Sequence, residues 1–163
     1  MKILNLDPAG NMAHPHCLEY CRKLVRELDE FSDKLIGAEF GIAYGGGVEA
    51  IGREWRDVGI IFGFDTFEGH PKQLAVSPVD FEAWCMDDWY RLYGTNELSY
   101  EYQRKELDRQ GLKNVILKKG LSNEKRCDDI PWLDYVLIDL DMLTPTKTVY
   151  EMIKDKAKKG RSI

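Results

Sequence analysis

The chain has 163 residues, 44% of them hydrophobic and 31% charged, with four cysteines and a net charge of −5. That length and balance suit one globular domain over residues 1–163 and do not suit a disordered chain. The acidic balance, without any Lys/Arg stripe, argues against a nucleic-acid partner, and no apolar run reaches the roughly 18 residues that span a bilayer.

From the N-terminus, residues 1–13 carry Pro and Gly and read as an irregular lead-in. Met1 to His16 holds one lysine and no apolar core, so it is not a secretory signal, and a cytoplasmic protein is expected. From Pro15 to Phe31 the apolar positions Leu18, Cys21, Leu24, Val25 and Leu28 recur at helical spacing, with Pro15 suited to a first turn. His14, His16, Cys17 and Cys21 are close enough to suggest a zinc site. Their spacing matches no standard pattern, however, and Cys17 and Cys21 sit one helical turn apart, as core residues do. The four cysteines are read as buried thiols.

Leu35 to Ile42 is a short apolar run that ends in glycines, a buried strand followed by a turn. Gly47 to Trp55 reads as a helix. Val58 to Phe64, ending at Asp65, has the look of a parallel strand buried on both faces. Gly69 to Asp80 holds two prolines and reads as a loop. Asp80 to Tyr93 carries Phe81, Trp84, Trp89, Tyr90 and Tyr93 at roughly helical spacing, which suggests core packing. Glu97 to Gln110 is a helix with the pair Glu101 and Lys105, stopped by Gly111. Asn114 to Lys118 and Leu133 to Leu140 are a third and a fourth strand. Thr144 to Lys158 is a last helix with Pro145 in its first turn. The order of strand and helix predicts an α/β fold with a parallel sheet and crossover helices.

The loop Gly41-Ile42-Ala43-Tyr44-Gly45-Gly46 follows the first strand. Glycines there let a ligand approach the backbone, and the next helix offers free N–H groups. Three residues separate Gly41 from Gly45, so the spacing is not that of a dinucleotide fold, and no Gly-Lys-Ser/Thr ending marks a nucleoside triphosphate loop. Glu39 lies two positions before Gly41, where a carboxylate could hold an ammonium group. Asp65 ends the second strand, where a carboxylate can accept ribose hydroxyls. Together they suit a cationic nucleoside that has no pyrophosphate.

Four segments carry a family resemblance. Glu39-Phe40-Gly41-Ile42-Ala43-Tyr44-Gly45-Gly46 resembles the first motif of class I S-adenosylmethionine-dependent methyltransferases. Phe64-Asp65-Thr66-Phe67-Glu68-Gly69-His70-Pro71 resembles the D-S/T-F-E-G-L-P segment of the macrocin O-methyltransferase-like family. Lys119-Gly120-Leu121-Ser122 resembles the stretch that borders the adenine, and Ile138-Asp139-Leu140-Asp141-Met142 resembles that family's L-D-G-D-L/M-Y.

The resemblance implies a Rossmann-like sheet with flanking helices and S-adenosylmethionine as methyl donor. It also implies a small-molecule acceptor, a sugar or natural-product hydroxyl, and a Mg²⁺ ion. Glu39, Gly41, Tyr44, Gly45, Gly46, Asp65, Thr66, Phe67, Gly120, Leu121 and Ser122 would then bind the donor. The role of helping to bind metal and acting as base would fall on Asp139 or Asp141; period-two spacing puts both on one side of an extended chain, so either or both could serve. The family continues with further strands and a second aspartate pair, which this sequence is expected to lack. Leu140 and Leu143 also depart from the family's pattern. An uncovered fourth strand would be an apolar edge, so a homo-oligomer is expected. A methyltransferase-like domain that binds the donor without catalysis is the alternative.

Overall fold

The computed structural model describes residues 15–28, 34–85, 96–121 and 127–157. Helix α1 (Pro15–Arg26) buries Leu18, Cys21 and Leu24, three positions one turn apart, and leaves its charged face outside. Strand β1 (Leu35–Phe40) leads through the glycine loop into α2 (Gly46–Glu54), and β2 (Gly59–Asp65) follows. A single 3₁₀ turn at Lys72–Leu74 then precedes α3 (Pro78–Cys85). Helix α4 (Tyr100–Arg109), strands β3 (Val115–Lys119) and β4 (Tyr135–Ile138) and helix α5 (Leu143–Ile153) complete the order.

Among the described residues the strands form one parallel sheet in the order β3-β2-β1-β4. The chain therefore builds outward on one side of β1 and then jumps to its other side, a topological switch point between β1 and β4. In open α/β sheets the crevice at the carboxyl ends of such strands is where ligands bind. The register brings those ends level: Phe40 lies opposite both Phe64 and Ile138, and Asp65 opposite Lys119.

Apolar residues cover both faces of the sheet. One cluster joins α1, α2 and Leu107 of α4 to Leu35, Ile61 and Val115. The other joins Val149 and Ile153 of α5 to Ala38, Phe40 and Phe64, with the Phe40 and Phe64 rings stacked at 4.5 Å. The α/β reading and the Rossmann-like architecture are therefore present in the structure.

Several boundaries differ from the sequence expectation, each for a local reason. Strand β4 stops at Ile138; the Asp139 N–H still donates to the Phe40 carbonyl, and the chain then turns, with Asp141 at a left-handed backbone angle (φ 56°). Helix α3 begins at Pro78, where the Ser77 hydroxyl accepts the Asp80 N–H at 3.2 Å. Helix α5 ends at Ile153, and Ala157 then bridges in parallel to Leu133. Phe81, read as core, is half-exposed and packs on Trp84 at 5.4 Å, with the Lys72 ammonium 5.0 Å above the Trp84 ring. Trp89, Tyr90, Tyr93 and His14 lie outside the described residues. Cys21 and Cys127 are buried as expected, but Cys85 is exposed on the last residue of α3.

Two side chains fix the arrangement around the switch point. Trp55, fully buried after α2, donates its indole N–H to the Cys21 carbonyl at 3.1 Å and meets Tyr135 edge-on at 6.3 Å. It thereby links α1, α2 and β4. Asp80, also fully buried, accepts the Ser77 hydroxyl at 2.6 Å and the Thr144 backbone N–H at 2.9 Å. One carboxylate thus holds the first turns of α3 and α5 together. These hydrogen bonds hold its carboxyl far below the usual carboxylate range.

The Trp55 contacts generate a stability prediction. Trp55→Ala empties a fully buried ring site and should cost about 3–5 kcal/mol in urea unfolding. A loss below about 1 kcal/mol would show that α1 docks without the ring.

Candidate functional site

At the C-terminal rim the chain turns sharply after each strand. Gly41 follows β1 with φ 83°, and a Cβ there would run into the Asp139 carbonyl, so only glycine allows the ends of β1 and β4 to come this close. Its N–H donates to the Phe64 carbonyl at 2.8 Å, while the Asp139 N–H donates to the Phe40 carbonyl at 2.8 Å. The rim is thus knitted across three strands before any side chain contributes.

Asp65 supplies the next layer. Its Oδ2 accepts the backbone N–H groups of Ile42 at 2.9 Å and Ala43 at 3.1 Å. Its Oδ1 accepts the Phe67 N–H at 2.8 Å and, more weakly, the Thr66 hydroxyl at 3.4 Å. One carboxylate therefore binds its own turn to the glycine loop. The Thr66 hydroxyl also donates to the Gly69 carbonyl at 2.7 Å, closing that turn.

Three non-glycine residues have positive φ among the described residues: Ala43 (45°), Phe67 (57°) and Asp141 (56°). Each such angle costs on the order of 1–3 kcal/mol and persists only where surroundings impose it. All three residues line the same cavity of about 340 Å³. Strain gathered around one cavity is characteristic of ligand sites.

Of the residues singled out in the sequence, Gly41, Tyr44, Asp65, Thr66, Phe67 and Gly120 line this cavity. Asp139 and Asp141 line it too, from the turn after β4. Glu39, Gly45, Gly46 and Leu121 stand outside its wall, and Ser122 lies outside the described residues.

Glu39 sits beneath the loop. Its carboxylate touches Gly47 in the first turn of α2, where a Cβ would overlap both oxygens. The side chain is buried, and Oε2 has no hydrogen-bond partner among the described residues. Burial, followed by the charges of Asp139 and Asp65, pushes its pKa up to about 8. A buried carboxyl with one oxygen unpartnered among the described residues, in the field of two others, is poised to gain from a nearby cation.

Two supporting residues escaped the sequence reading. Gln103 on α4 is buried and donates its amide N–H to the Ala43 carbonyl at 2.5 Å, propping the strained loop from behind. Its signal was a polar residue four positions from buried Leu107 on the inner stripe of α4. Pro145 in the first turn of α5 also lines the cavity.

His70, weighed in the sequence as a loop residue or a base, comes to the cavity wall. Its Nε2 lies 3.5 Å from Asp141 Oδ2, and this hydrogen bond holds the Asp141 carboxyl below its ordinary range. Among the described residues no three His, Cys, Asp or Glu side chains converge as a metal site. Asp139 and Asp141 thus stand on the cavity without a third ligand among those residues, and Asp141 engages His70.

No protein-family model matches the chain, and no curated protein does either. Solved structures do match its fold. The O-methyltransferase NovP superposes with a TM-score of 0.62 at 21% identity, over 86% of this chain and 60% of its own. A rRNA methylase from Streptococcus thermophilus gives 0.55 at 12%, over 88% and 64%. The precorrin-6y C5,15-methyltransferase from Geobacter metallireducens GS-15 gives 0.51 at 14%, over 94% and 60%. The chain therefore shares the sheet and helix arrangement of these methyltransferases and spans 60–64% of their lengths.

The state of Glu39 gives a prediction for stability against pH. Its carboxyl ionises near 4.5 ordinarily and near 8 when buried, so the folded chain holds a proton that the unfolded chain releases. Its contribution is fully present below pH 4.5 and is lost as pH rises through about 8. Glu39→Gln should remove that slope. Thermal melts between pH 5 and 9 should show wild type losing several degrees that the variant keeps; parallel curves would show that Glu39 ionises normally.

Proposed function

We propose that the chain is the donor-binding part of an S-adenosylmethionine-dependent O-methyltransferase that acts on a hydroxyl of a small molecule. The observation that carries this reading is the convergence of the strained glycine loop, Asp65 and Gly120 on one cavity at the β1/β4 switch point. The likeness of fold to NovP and other methyltransferases supports it, as does the order of the four sequence motifs.

In this reading the ribose lies beside Asp65. Its four hydrogen bonds fill the carboxylate, and the 3.4 Å bond from Thr66 is the weakest, so a ribose hydroxyl would take that place. The adenine follows Gly120, which lines the cavity after β3. The amino-acid end crosses the loop from Gly41 to Gly46, toward the free N–H groups of α2 and above Glu39. An ammonium and a sulfonium near Glu39, Asp65 and Asp139 would favour the ionised form of Glu39, so binding at neutral pH releases a proton. Asp139 and Asp141 face the acceptor hydroxyl. Methyl transfer is an in-line displacement, and holding donor and acceptor in register supplies much of its rate. A magnesium ion would need oxygen ligands in near-octahedral order. Asp139 and Asp141 would offer it two carboxylates, one of them engaged by His70, and among the described residues no third side chain joins them to complete such a shell.

Isothermal titration with S-adenosylhomocysteine tests the reading. One molecule should bind per chain, and Asp65→Ala should weaken binding about 10–100-fold, the worth of hydrogen bonds to a charged group. Absence of any binding heat to the intact protein would sink the proposal.

A further inference from the structure

Helix α4 reaches the glycine loop and the cavity through its N-terminal end. Leu98, just before the helix, lines the cavity, and Tyr100 meets the ring of cavity residue Phe67 edge-on at 5.3 Å. Gln103, only 5% exposed, ends against the loop itself. Its Nε2 donates to the Ala43 carbonyl at 2.5 Å and, at the longer distance of 3.4 Å, to the Leu98 carbonyl. Its Oε1 stands 2.8 Å from the place a Cβ on residue 45 would take, so the carboxamide fits only against glycine there.

Ala43 is thereby held from two sides. Its N–H belongs to the peptide plane before it and donates to Asp65 Oδ2 at 3.1 Å. Its carbonyl belongs to the peptide plane after it and accepts from Gln103. The left-handed angle of Ala43 (φ 45°) is the rotation between those two planes, so it is fixed only while both are fixed. Asp65 alone leaves the second plane free to turn. An alanine so released moves toward the ordinary right-handed region, because its Cβ disfavours the left-handed one. That turn would carry the Ala43 carbonyl and Tyr44 away from the cavity wall they form.

Resting on the methyl-donor reading above, we propose that Gln103 is a positioning residue of the donor site, which sets donor affinity by holding Ala43 in its left-handed conformation without touching the donor. A loop that leaves this conformation binds only in the fraction of molecules that return to it, and the apparent affinity falls by that fraction. Asp65 and Gln103 then act as a pair on one residue, the first from β2 and the second from α4.

The test uses the full chain and Gln103→Met, which keeps the side-chain length and removes the N–H donor. Calorimetry should show S-adenosylhomocysteine binding about tenfold more weakly to the variant. In an Ala43→Gly background, where φ 45° carries no Cβ penalty, the same substitution should cost less than about threefold. A role in general packing of α4 would not be rescued in this way. Amide hydrogen exchange of the unliganded variant should quicken from Ile42 to Val48 and stay at the wild-type rate in β1 and β2. If Gln103→Met does not fold, Gln103→Asn, one methylene shorter, should show the same pattern. Unchanged affinity in the variant, or a loss just as large in the Ala43→Gly background, overturns the inference while the donor reading stands. If the wild-type chain does not bind S-adenosylhomocysteine, the donor reading fails. The exchange rates then still decide whether Gln103 holds the loop: faster exchange confined to Ile42–Val48 upholds that role, and unchanged exchange overturns it.

Discussion

The Asp65 carboxylate is the constraint on which the rim of this fold depends. It ends β2 and accepts backbone N–H groups from Ile42 and Ala43 of one loop and from Phe67 of another. Those N–H groups would otherwise face a cavity with no partner, and a buried unpaired donor costs about as much as a lost hydrogen bond. By satisfying them, Asp65 allows Ala43 and Phe67 to stay at positive φ and keeps the glycine loop pressed toward the sheet. Gly41 completes the arrangement from below, since only a residue without Cβ can pass the Asp139 carbonyl.

From that anchor the electrostatics of the site follow. Strands β1, β2 and β4 end level, so their acidic residues Glu39, Asp65 and Asp139 converge at the switch point. Burial under α2, and after it the charges of Asp139 and Asp65, lets Glu39 hold its proton near neutrality. An anionic nucleotide would be repelled here. A nucleoside whose charge is carried by an ammonium and a sulfonium would be drawn in, and it is this match of charge to cavity that gives the shared methyltransferase fold its functional reading.

The sheet was legible from the sequence because its signals are local. Apolar runs ending in Gly41 and Asp65 mark strands buried on both faces, and the helix of Leu18, Cys21 and Leu24 shows its stripe directly. The motif residues Gly41, Asp65, Gly120 and Asp139 all arrived at one cavity for the same reason, since each follows or ends a parallel strand. What stayed hidden depends on contacts between distant segments. Nothing near Gln103 announces that it props Ala43, sixty positions away, and nothing near Asp80 announces Thr144. Phe81 shows the converse error: helical spacing of aromatics suggested core, but the ring packs on Trp84 at the surface. Glu39 was singled out from its place two positions before Gly41; that its carboxylate lies against Gly47, under the first turn of α2, depends on packing between segments that the strand pattern does not show.

The most direct test of the central claim is a crystal structure of the chain with S-adenosylhomocysteine. The expected result is a ligand at the β1/β4 switch point, with its ribose on Asp65 in place of the Thr66 hydroxyl, its adenine along Gly120, and its amino group above Glu39. A ligand bound elsewhere on the surface, or an Asp65 carboxylate that makes no contact with the ribose, would contradict it.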